Sequence, residues 1–124
     1  MKLNELSALV VDDETIITKV LYKLLLHEKV PNVDIANDEN TALDLILAKK
    51  YDFMILDTFD NDAYGPRILK RARELGQTPK VIATSGKYGF EKEWMESKPD
   101  YFLAKPFSLF DVKKILEKSI ANYL

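Results

Sequence analysis

Five side chains in this 124-residue chain have the types that metal and phosphoryl chemistry uses: the adjacent acids Asp12 and Asp13, the lone Asp57, the hydroxyl of Ser85 and the amine of Lys105. Each stands at the end of a short apolar run. If the runs are strands of one parallel sheet, their carboxyl ends share an edge, which is where ligands bind in open α/β sheets. Two carboxylates about 4 Å apart repel by roughly 4 kcal/mol at an effective dielectric near 20. Three together push at least one pKa upward unless a cation compensates. Lys105 brings one positive charge; Mg²⁺ or Mn²⁺, which favour oxygen donors, would bring the rest. Compensated in this way, Asp57 stays ionised and can attack phosphorus, with Ser85 and Lys105 stabilising the phosphoryl oxygens.

That chemistry depends on elements that carry the five residues to one place. Phe53 to Leu56 is apolar without alternation, which fits a strand buried on both faces in mid-sheet. Since burying a lone carboxylate is expensive, Asp57 is expected where this strand leaves the core. Leu6–Val11, Val33–Ala36, Val81–Thr84 and Tyr101–Ala104 read as the other four strands. Between them, Ile16, Ile17, Val20, Leu21, Leu24 and Leu25 recur at helical spacing, and Asp13 or Glu14 is placed to cap that helix. Asp38 is expected to cap a second helix carrying Ala42, Leu43, Ile46 and Leu47. Pro66 suits the first position of a third helix, which ends at Gly76. A short helix over Phe90–Glu96 and a last one with Val112, Ile115, Leu116 and Ile120, opened by a Ser108/Asp111 capping box, complete the set. Strands alternating with helices predict a five-stranded parallel sheet with helices on both faces and right-handed crossovers.

Composition removes several alternatives. Hydrophobic content is 47% and charged content 31%, as in ordinary soluble globules, and the length suits one domain over residues 1–124. A net charge of -2 offers no broad basic face, so direct nucleic-acid binding by this chain is not expected. There are no cysteines, hence no disulfide framework and no thiol site. No apolar run has the length of a membrane span and no signal-peptide core opens the chain, so a cytoplasmic location without membrane contact is expected.

Val10-Val11-Asp12-Asp13-Glu14, Ile55-Leu56-Asp57, Ala83-Thr84-Ser85-Gly86 and Lys105-Pro106-Phe107, in this order and spacing, strongly resemble the CheY-like receiver domains of two-component response regulators. The match runs over essentially the whole chain. It implies the flavodoxin-like fold, with Asp57 as phosphoacceptor fed by the phosphohistidine of a histidine kinase or phosphotransfer protein. It further implies that Asp12, Asp13, Asp57 and the backbone carbonyl of Phe59 hold the metal ion. Ser85 and Phe102 take the switch positions, Lys105 that of the family's lysine, and the Lys105–Pro106 bond is expected to be cis. Where the family usually has Met-Pro after the phosphoacceptor, this chain has Asp60-Asn61, which removes a proline and adds negative charge.

Blander explanations stand beside these. Asp12-Asp13-Glu14 could be only a helix cap, Lys105 a solvated lysine, and Ser85 a turn residue with Thr84 as the working hydroxyl. His27 reads as a solvated helix end, and Arg67, Lys70, Arg71 and Arg73 as a solvated helix face. Ile16 lies off the main helical stripe near the acidic edge, where a kinase or phosphotransfer helix could touch it. The expected function is a phosphoacceptor switch, not an enzyme on a separate substrate, acting as monomer or weak dimer on an unidentified protein target. The alternative is a degenerate receiver serving as a phosphorylation-independent interaction module. A flavin site is disfavoured by the acids after the first strand. A phosphohydrolase is disfavoured by Phe59, where a second carboxylate would stand.

Overall fold

The computed structural model describes residues 5–58, 64–86 and 91–121. Expectations that rest on Phe59, Asp60, Asn61 and Phe90 lie outside the described residues.

The apolar runs become five parallel strands: β1 (Ser7–Val11), β2 (Asn32–Ala36), β3 (Phe53–Asp57), β4 (Lys80–Ser85) and β5 (Tyr101–Ala104), in the order β2-β1-β3-β4-β5. Five helices connect or follow them: α1 (Thr15–His27), α2 (Glu39–Ala48), α3 (Tyr64–Glu74), α4 (Glu91–Ser97) and α5 (Leu109–Ala121). Every residue of β3 is buried, because it is the middle strand and both of its faces are covered. Side-chain alternation divides it between two cores. Phe53 and Ile55 pack with Leu21 and Leu25 of α1 and Val112 and Leu116 of α5. Met54 and Leu56 pack with Ile46 of α2, Ile68 and Leu69 of α3 and Trp94 of α4. Each such side chain contributes about 1.5–3 kcal/mol when fully buried.

Local chemistry sets the helix ends. Asp38 accepts from the Thr41 amide at 2.7 Å, and the Ser108/Asp111 pair forms its reciprocal box, both bonds 3.1 Å. Gly76 ends α3 at φ 86°, a left-handed conformation that glycine adopts without strain. Two expectations are corrected. Neither Asp13 nor Glu14 caps α1: Glu14 occupies the capping position without a side-chain bond, and its amide is instead taken by Asp12 Oδ1 at 2.9 Å. Pro66 is the third residue of α3 rather than the first, still within the turn whose amides need no helical partner. The basic face of α3 is solvated as expected, with Arg67, Lys70, Arg71 and Arg73 all exposed. Arg67 pairs with Glu39 at 3.0 Å and lies over the Tyr64 ring, and Arg73 donates to the carbonyls of Ser97 and Lys98 at the end of α4.

Gly65 is where α3 and α4 meet under the sheet's upper edge. A Cβ there would lie 2.3 Å from the Trp94 ring and 2.5 Å from the Asp57 carbonyl oxygen, so only glycine fits. The Trp94 indole is wholly buried against it.

Candidate functional site

The parallel topology brings Asp12, Asp57, Thr84, Ser85 and Lys105 to one edge, because each lies at or just past the carboxyl end of its strand. Asp57 is in register with Thr84, and Ser85 with Ala104. Asp12 and Asp57 are 2% and 4% exposed, whereas Asp13 points to solvent. One carboxylate oxygen from each of Asp12, Asp13 and Asp57 falls within 4.8 Å of the others.

Lys105 is the counter-charge. Its Nζ lies 2.8 Å from Asp12 Oδ2, 3.3 Å from Asp57 Oδ1 and 3.4 Å from Glu14 Oε1. Burial pulls the Lys105 pKa down, but Asp12, Asp57 and Glu14 together outweigh it, so the net shift is upward and the ammonium persists. For Asp12 the balance goes the other way. Burial, reinforced by the Asp57 charge, pushes its pKa from 3.8 to about 6, despite the bonds from Lys105 and the Glu14 amide. One ammonium therefore does not neutralise this edge.

The donor set fits a hard divalent cation. All three converging groups offer carboxylate oxygens, and a cation would offset the cost that burial and the Asp57 charge place on ionised Asp12. The fourth expected ligand, the Phe59 carbonyl, lies outside the described residues.

The two hydroxyls on β4 separate by face. Ser85 shares the face of Ala83 and Ala83's partner Phe102, and its Oγ accepts from Thr58 Oγ1 at 3.1 Å. Thr84 lies on the opposite face, with Asp57, and donates to Asp57 Oδ1 at 3.0 Å. Phe102, expected to fill the space behind the moving hydroxyl, is 36% exposed, because β5 is an edge strand and the ring turns outward there. The Lys105–Pro106 peptide bond is cis. Ile16 is 76% exposed and lines a cleft of about 580 Å³ that opens beside Asp57, walled by Ile17, Val20, Pro106, Phe107 and Leu109. His27 is the exposed last residue of α1, away from the site.

Sequence reasoning left out Glu14, Thr58 and the Thr84 bond. Glu14 stands in the acidic run, but nothing in the spacing says that its side chain turns back to Lys105.

A doubly wound parallel sheet with acids, hydroxyls and a lysine at its carboxyl edge defines the CheY-like class of flavodoxin-like folds. Residues 8–117 match the response regulator receiver domain, and the chain belongs to that family. It is similar to the transcriptional regulatory protein DltR of Streptococcus agalactiae serotype III (strain NEM316), 35% identical over 101 residues that make up 80% of this chain and 45% of that protein. It is similar also to the response regulator ArlR of Staphylococcus aureus (strain Mu50), 31% identical over 111 residues, 89% of this chain and 49% of that one. The chain thus spans about half the length of these curated relatives. In fold it matches the receiver domain of Francisella response regulator 1452, at TM-score 0.80 and 24% identity, covering 97% of this chain and all of that one. It likewise matches the beryllofluoride-activated DrrB receiver domain, at TM-score 0.79 and 20% identity, covering 98% and 99%. This is a receiver domain of two-component response regulators. No helix among the described residues is long and apolar enough to cross a membrane.

Proposed function

We propose that Asp57 is the phosphoacceptor of this domain, taking its phosphoryl group from the phosphohistidine of a histidine kinase or a histidine phosphotransfer protein. An Asp57 oxygen forms a bond to phosphorus while the phosphorus–nitrogen bond of the donor breaks, its electron pair leaving with the imidazole. The observation that carries this reading is the convergence on Asp57 of Lys105 and two further acids. Asp12, Asp13 and Asp57 would hold Mg²⁺ or Mn²⁺, which supplies charge neutralisation at the phosphoryl oxygens. Lys105 stays cationic and is within reach of the same oxygens; Ser85 supplies a hydroxyl at the edge once it exchanges Thr58 for the phosphoryl group.

The apolar cleft beside Asp57, with Ile16 at its rim, supports docking of the phosphodonor partner there. Output would run through α4, β5 and α5, by Ser85 moving toward the phosphoryl group and Phe102 turning inward from its exposed position. Residues 1–124 would act as one receiver unit in the cytoplasm, as monomer or weak dimer, without itself touching nucleic acid. Its reaction is its own phosphorylation and dephosphorylation, with no separate substrate. The alternative of a phosphorylation-independent module was motivated by Asp60-Asn61, outside the described residues, and no described feature favours it.

Intact-mass measurement after incubation with acetyl phosphate and Mg²⁺ tests the reading. One added phosphoryl group is expected in the wild type and none in Asp57→Asn. Equal labelling of both would move the acceptor elsewhere.

A further inference from the structure

We infer that Thr84 is a positioning residue for the phosphoacceptor, a second β4 hydroxyl that acts on Asp57 from the face opposite Ser85. The inference rests on the reading of Asp57 given above and deepens it.

Thr84 is 2% exposed and directly in register with Asp57, so the two side chains rise from neighbouring strands on the same face. Its Oγ1 donates to Asp57 Oδ1 at 3.0 Å, and Lys105 Nζ approaches that same oxygen at 3.3 Å. A hydrogen bond from β4 and the ammonium just past β5 therefore hold one oxygen of the carboxylate. A carboxylate held at a single point can rotate about its Cβ–Cγ bond, since such terminal torsions are broad. Held by β4 on one side and by Lys105 on the other, its plane is fixed before a donor arrives. Threonine suits this post. Its branched Cβ has few χ1 rotamers. Ser85 faces Thr58 and the Phe102 side, so the two adjacent hydroxyls rise to opposite faces of β4.

The test compares wild type with Thr84→Val, Thr84→Ala and Thr84→Ser in acetyl phosphate phosphorylation with saturating Mg²⁺, read by intact mass. Near-ultraviolet circular dichroism and the melting temperature establish that each variant is folded. Thr84→Val and Thr84→Ala are each expected to lower the maximal labelling rate about tenfold, the order of one lost hydrogen bond to a charged group, with little change in the half-saturating donor concentration. Thr84→Ser, which keeps the hydroxyl, is expected to stay within about threefold of wild type. A purely structural role would make the rates follow the melting temperatures instead. If Thr84→Val or Thr84→Ala labels as fast as wild type, or Thr84→Ser is as slow as they are, the inference is overturned while Asp57 stands as acceptor. If wild type takes up no phosphoryl group, the reading of Asp57 falls and this inference with it.

Discussion

The two edges of the sheet use the same kinds of residue to opposite ends. At the amino-terminal edge each acid closes a backbone account. Asp52 accepts from the Ser7 amide at 2.9 Å, and Asp100 accepts from the Val81 amide at 2.8 Å. Gln77, buried below the same edge, accepts from the Tyr51 amide at 3.0 Å and donates to the carbonyls of Ile46 and Lys49 at 2.7 and 2.8 Å. At the carboxyl edge Asp12 and Asp57 share, among the described residues, the one ammonium of Lys105, and the pKa of Asp12 rises to about 6 through burial and the Asp57 charge. One edge uses polar groups to end strands; the other gathers charge that the fold alone leaves uncompensated. The difference teaches that a buried carboxylate is informative by its company rather than by its burial.

The contrast can be broken most forcefully from below. Gln77→Ala leaves a buried amide and two carbonyls without this partner, so a loss of roughly 3 kcal/mol in urea unfolding is expected. The melting-temperature gain on adding Mg²⁺ should nevertheless be the same as in wild type; a lost Mg²⁺ response would mean that the edges are coupled. From above, Asp13→Ala removes an exposed ligand and should barely alter metal-free stability, yet weaken Mg²⁺ affinity at least tenfold, about 1.4 kcal/mol. Unchanged affinity in a titration would remove Asp13 from the site.

Asp12→Asn sharpens the comparison by its sign. A carboxyl whose folded pKa lies above its unfolded value makes the protein less stable as pH rises, here from about 4 to about 6, and the loss stays in full above that. In chelator at pH 7 the variant should therefore be more stable, by about 1 kcal/mol after allowing for the weakened Lys105 contact. A less stable variant would show that the ion pair outweighs the crowding. The smallest effect belongs to Asp34, in the middle of β2. Burial would raise its pKa, but the Tyr51 hydroxyl at 2.7 Å and Lys49 at 3.0 Å bring it below 3.8. A depressed carboxyl stabilises above its unfolded pKa and loses that contribution as pH falls through the folded one. Asp34→Asn should hence cost under about 1 kcal/mol at pH 7, since the site is partly solvated, and should flatten the acid limb of the stability curve below about pH 4.

Most of the fold could be read in advance where apolar runs had one interpretation. Phe53–Asp57 and Tyr101–Ala104 have the bounds expected, and the Asp38 and Ser108/Asp111 caps follow from local rules. At the candidate site, the residues could be named because topology alone brings strand ends together. What escaped was direction. The lack of a side-chain cap on α1, with Asp12 taking the Glu14 amide, depends on how the chain leaves β1. The turn of Glu14 toward Lys105 joins residues 91 positions apart. Thr84 and Ser85 look interchangeable as letters; strand register separates them, and register is set by the whole sheet. Phe102 faces outward because β5 has a neighbour on one side only, which no window of sequence contains.

The packing of Trp94 on Gly65 has a consequence for spectroscopy. Trp94 is the single tryptophan of the chain, so its emission is the only indole signal the protein has. Its ring is shielded from water, and the glycine it touches is itself in contact range of the Asp57 carbonyl. The chromophore thus sits one residue's width from the Asp57 backbone while belonging to α4. Light collected from it reports on the edge and the helix at once, with no label attached.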